Sequence, residues 1–144
     1  MKPAFAFLTI PSAMLLLACS KPADSASNAP TPPPVDMVAE GLKGYTANCA
    51  TCHQVDGYGV SNMQPPLVDS DVAKGDPTLV IKVVLKGPAA VLPKDRPHYS
   101  NVMPAFDRLS DEQIAEILTY VRHEFNHDTP GITPDQVKTV RNQM

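Results

Sequence analysis

Two cysteines three positions apart, followed directly by a histidine, constrain this chain more than any other feature: Cys49-Ala50-Thr51-Cys52-His53. On one turn of helix the two sulfurs can reach the two vinyl groups of a porphyrin and form thioethers. The histidine then lies against the iron as an axial ligand. The pattern is that of a single, covalently attached c-type haem held through Cys49 and Cys52. Other uses of a paired cysteine motif lack their remaining parts here. A structural zinc site needs two more ligands at finger or ribbon spacing, and the third cysteine, Cys19, lies far upstream. A thioredoxin-like pair belongs beside a βαβ pattern, and no such alternation is present. Buried, inert cysteines would leave the adjoining histidine unexplained.

Upstream of the motif the chain reads as leader and tether. Residues 1–18 have a positive start at Lys2 and an apolar run from Ala4 to Ala18, shorter than the ~20 residues of a spanning helix. The run ends in Leu16-Leu17-Ala18-Cys19, which resembles the lipobox of bacterial lipoproteins. By that resemblance Cys19 is lipidated and becomes the first mature residue, with acyl chains holding the protein to a membrane. Residues 19–34 are rich in Pro, Ala and Ser and end in Pro30-Thr31-Pro32-Pro33-Pro34. Such a segment buries too little to fold. As a stiff proline-rich tether it reaches up to about 45 Å.

The folded domain is expected over 35–144, and it is expected to be all-α. Val38, Leu42 and Tyr45 recur at helical spacing and lead into Cys49. Residues 54–61 and the Pro65-Pro66-Leu67 segment read as loop. Asp76-Pro77 opens a helix as cap and first residue, with Leu79, Val80, Val83 and Val84 as its buried face and Gly87 at its end. Pro88 to Asn101 reads as a long loop, and the proline after Met103 leaves that methionine on extended backbone. The last long helix is the best signalled. Ser110 and Gln113 form a capping box, Leu109 and Ile114 a staple, and Ile114, Ile117, Leu118, Val121 and Phe125 one apolar stripe. Thr133-Pro134 opens a short final helix carrying Val137 and Val140.

Taken in order, these features resemble a class I cytochrome c: a helix ending in CATCH, a Pro-Pro-Leu loop, a middle helix, Met-Pro-Ala-Phe at Met103–Phe106, and a closing helix. The resemblance covers roughly Val35 to Arg141. It implies a small cytochrome c fold wrapped around one haem, with Met103 as the second axial ligand opposite His53. His98 is the rival ligand. It further implies that a proline carbonyl, Pro65 or Pro66 with Pro66 favoured, accepts from the other ring nitrogen of His53. Gly41 or Gly44 would pack against Tyr120 where the first and last helices cross.

The function so implied is one-electron transfer in the bacterial periplasm by a membrane-anchored lipoprotein, not catalysis. The partners would be periplasmic or membrane redox proteins: a dehydrogenase, a terminal oxidase or a reductase. The alternative is a five-coordinate haem protein that binds a small gas or peroxide, with Met103 only packing. A net charge of −3 and the lack of any basic run exclude nucleic acid as an expected partner, and no small-molecule substrate is expected. The Lys74–Arg96 stretch sets five cations against two carboxylates. It would steer an acidic partner if it borders the haem edge.

Overall fold

A computed structural model describes residue 1, residues 34–127 and residues 129–144. The rest of the leader, Cys19 and most of the tether lie outside the described residues. Seven helices follow one another: α1 (Val35–Asn48), α2 (Ala50–His53), α3 (Asp71–Lys74), α4 (Pro77–Lys86), α5 (Pro88–Val91), α6 (Asp111–Phe125) and α7 (Pro134–Asn142). Among the described residues the only β feature is an isolated bridge between Val60 and Gln64. None of the described helices is long and apolar enough to cross a membrane.

The fold is organised by α6, and its capping follows the sequence signals. The Ser110 hydroxyl accepts from the Gln113 amide, and the Gln113 side chain accepts from the Ser110 amide. All five residues of the expected stripe are buried. On one side α6 crosses α1 at Gly41. A Cβ there would stand 2.7 Å from Tyr120 Cβ and would also run into the Glu116 carbonyl. Only glycine permits that approach, which offsets its poor helix propensity.

The other side of α6 packs on α4 and α7. Ile114, Ala115 and Leu118 join Val80, Ile81, Leu85, Ile132, Val137 and Val140 in one core cluster. The expectation for α4 is corrected here: Val80 and Val83 are buried as read, but Ile81 and Leu85 replace Leu79 and Val84, which are only partly buried. The reason is α7, which covers a second arc of α4 and widens its buried face. In α1 the correction is Leu42, which is 47% exposed while Tyr45 is 1% exposed. The short helix α5 occupies the start of the stretch that reads as a long loop, and α3 lies between the Pro-Pro-Leu loop and the Asp76 cap. The expected final helix is present as α7, with a second capping box from Thr133 and Gln136.

One charged residue is buried beside this core. Arg122 is 2% exposed and donates from Nε to the Ala73 carbonyl, from Nη1 to Pro130 and from Nη2 to Gly75, at 2.6–3.0 Å. Burial lowers its pKa, and the charge of Asp76 works the other way. Its guanidinium satisfies carbonyls at the end of α3 and in the turn before α7, so one side chain ties three segments together.

Candidate haem site

The paired cysteines and the histidine sit on one helical turn that continues from α1. The Cys49 amide donates to Tyr45 O at 2.8 Å, the His53 amide to Cys49 O at 2.9 Å, and the Gln54 amide to Ala50 O at 2.9 Å. No disulfide joins the two motif cysteines; Cys49 is partly buried and Cys52 exposed. Burial, with the neighbouring Cys52 adding to it, pushes the Cys49 thiol up to about 11. No group of three or more His, Cys, Asp or Glu among the described residues converges in a way that could hold a metal ion. The zinc reading of the pair therefore has no supporting ligands there.

His53 is 8% exposed, and its Nδ1 lies 3.0 Å from the Pro65 carbonyl oxygen. A carbonyl can only accept, so Nδ1 carries the proton and Nε2 keeps its lone pair. Burial lowers the His53 pKa, partly offset by the same backbone bond. A neutral imidazole with a free Nε2 is the form that binds a metal. The residues present therefore fit a haem held through Cys49 and Cys52 with His53 on its iron.

The acceptor is Pro65, not the favoured Pro66. The Val60–Gln64 bridge sets this register, and Gly59 makes room for it. At φ +65° a Cβ on Gly59 would lie 2.6 Å from both the Gln64 and Pro65 oxygens. Pro65 meets the histidine and is partly buried, whereas Pro66 is exposed.

The comparisons with known proteins agree with this geometry. A family model described as Cytochrome c matches residues 38–124. The chain belongs to the cytochrome c family. Membership brings covalently bound haem c and accounts for an all-α domain built around the motif turn. The chain is 38% identical over 94 residues to the cytochrome c subunit of the quinone alcohol dehydrogenase of Gluconobacter oxydans (strain 621H). That match takes in 63% of this chain and 19% of the relative. It is 33% identical over 110 residues to the fructose dehydrogenase cytochrome subunit of Gluconobacter japonicus, 71% of this chain and 22% of the relative. It is also 38% identical over 87 residues to cytochrome c-552 of Thermus thermophilus, 58% of this chain and 66% of the relative. This cytochrome thus spans about a fifth of the length of the dehydrogenase subunits it matches.

Met103 is partly buried on a segment without helix, as its following proline predicts. Backbone bonds hold that segment on both sides. Before it, the Ser100 amide donates to Asn62 O at 2.9 Å and the Asn101 amide to Met63 O at 3.1 Å. After it, the Phe106 amide donates to Val84 O on α4 at 2.9 Å. The loop that positions Pro65 and the segment that carries Met103 are therefore bonded to each other. His98 lies outside these ties and is exposed, as are His123 and His127.

Sequence reasoning missed three residues around this site. Asn126 is 2% exposed and donates to the Leu67 and Val121 carbonyls, joining the proline loop to α6. Arg122 had a legible signal: it lies at i+4 from Leu118 and i+7 from Ala115, on the buried side of α6. Gln54, directly after the histidine, adopts φ +65°, and no local sequence cue predicts that for a glutamine.

Proposed function

We propose that this cytochrome is a monohaem, one-electron carrier, with haem attached through Cys49 and Cys52 and the iron held between His53 and Met103. When bound, the haem supplies a ferric/ferrous couple, and a methionine sulfur raises its potential relative to two histidines. The chain's own task is to hold both ligands still, keep water away and present an edge to a redox partner. It is not a catalytic subunit. The observation that carries the reading is the committed Nδ1 of His53, which leaves Nε2 free on the helical turn bearing both thiols. Met103 is favoured over His98 because it is partly buried on a segment tied down at both sides, whereas His98 is exposed.

The partners of this reading are periplasmic or membrane redox proteins, with a dehydrogenase ahead of an oxidase or reductase, since several relatives are named as cytochrome subunits of dehydrogenases. The lipobox-like end of the leader supports lipidation at Cys19 and a periplasmic, membrane-tethered domain. In cell fractionation Cys19→Ser should move the protein from the membrane to the soluble fraction.

The site is tested by absorption spectra of the ferric and ferrous holoprotein beside Met103→Ala. Low-spin ferric haem with the weak sulfur-to-iron charge-transfer band, lost in the variant, is the expected result. High-spin haem unchanged by the substitution, with ready uptake of carbon monoxide, would instead establish an open sixth position and a gas- or peroxide-binding protein.

A further inference from the structure

Tyr45 touches the haem-bearing turn at both of its ends. Its backbone carbonyl accepts from the amide of Cys49, the first motif residue, and its hydroxyl donates to the carbonyl of Gln54, the residue after the motif, at 2.5 Å. We propose that Tyr45 is a positioning residue for the iron ligand: by clamping the far end of the Cys49–His53 turn, its hydroxyl fixes the orientation of the His53 imidazole.

The turn needs such a clamp. His53 ends a helix of only four residues, and a helix C-terminus leaves its last carbonyls without partners inside the helix. The next residue, Gln54, sits at φ +65° and ψ 162°, a region that residues with side chains hold only when their surroundings enforce it. The His53 carbonyl is taken by the Gly59 amide at 3.0 Å. The Gln54 carbonyl has a weaker bond from the Gly57 amide at 3.3 Å, so the phenol supplies its short contact. The clamp itself is rigid. The Tyr45 ring is packed against Tyr120 and Phe125 of α6, with centroids 5.3 and 5.4 Å away. Burial pushes the phenol far above the usual tyrosine range, so it remains a donor. The position of α6 is thereby transmitted to the imidazole through one hydroxyl. Together with the Pro65 carbonyl on Nδ1, this gives the ligand two independent restraints.

The test compares the full-length ferric holoprotein with Tyr45→Phe and Tyr120→Phe. The first variant keeps the packed ring and removes only the hydroxyl. The second deletes a hydroxyl from the same aromatic cluster that makes no bond to the motif. Two quantities are read: the proton NMR shifts of the haem methyl groups, which follow the axial imidazole plane, and hydrogen exchange at the His53 and Gln54 amides. Tyr45→Phe should redistribute the methyl shifts and speed exchange at both amides about three- to tenfold, the scale of one net hydrogen bond. Tyr120→Phe should leave both as they are. An unchanged methyl pattern in Tyr45→Phe overturns the proposal even if exchange quickens or the protein melts earlier, because the hydroxyl would then serve stability alone. The methyl readout rests on the haem reading of the site. That reading fails separately, by the absence of a covalent haem stain on a denaturing gel.

Discussion

The crossing of α1 and α6 and the loops around the candidate haem site are held by different forces. At the crossing, side chains meet directly. Gly41 lies against Tyr120 Cβ, and Tyr45, Tyr120 and Phe125 form a triangle of edge-on and tilted rings. In residues 92–110, by contrast, no residue is buried, and in 54–70 only Gly57 and Gln64 are. Those loops are fixed by backbone bonds, by five residues at positive φ between Gln54 and Asp69, and by side chains that reach in from the helices. Packing defines the first region through close contact of the two helices, with Gly41 at its tightest point. The second depends on a few bonds that hold Pro65 and the proposed ligand Met103 in place, so a small change in energy there would be a large change in chemistry.

The contrast breaks most completely at Gly41. Gly41→Val should cost about 3 kcal/mol or prevent accumulation of folded protein, because the added atoms meet backbone that cannot move aside. Thermal unfolding checks this, and a variant as stable as the parent would mean that α1 can shift along α6. Next in size, Arg122→Met keeps the volume but strips the carbonyls of Ala73, Gly75 and Pro130 of their donor. A loss of about 2–3 kcal/mol by urea denaturation is expected. Met103→Ala sharpens the difference from the other side. It removes a partly buried side chain from a bonded loop, so stability should fall by less than about 2 kcal/mol while the absorption spectrum changes entirely.

The smallest effect belongs to Glu116, on the α6 face that meets α1. Burial raises its pKa, and Glu40, Glu112 and Asp36 add to the rise while Lys43 opposes it. The folded state therefore holds this proton more tightly than the unfolded chain. Stability declines as pH rises from the unfolded carboxyl pKa through the raised folded one, and the repulsion is fully present at neutral pH. Glu116→Gln should stabilise by about 0.3 kcal/mol at pH 7, a gain that disappears in acid and shrinks with salt. Melting curves at pH 7 and below pH 4 would show a constant difference if the shift has no energetic consequence.

What the sequence by itself determined is local or periodic. The candidate haem motif is five consecutive residues, and the capping box and stripe of α6 follow from spacing along one helix, so neither needed knowledge of what lies elsewhere in the chain. The same holds for the Asp76 cap, whose carboxylate accepts from the Thr78 amide at 2.9 Å. The loops were legible only as loops. That Pro65 and not Pro66 meets His53 was decided by the Val60–Gln64 bridge and the close approach at Gly59. The burial of Ile81 and Leu85 was decided by α7, more than 45 residues later in the chain. The Tyr45 bond to Gln54 and the reach of Arg122 to Ala73 join residues 9 and 49 positions apart. Carbonyl direction and side-chain reach between distant segments depend on how the helices finally pack, and periodicity within a single segment carries no record of that.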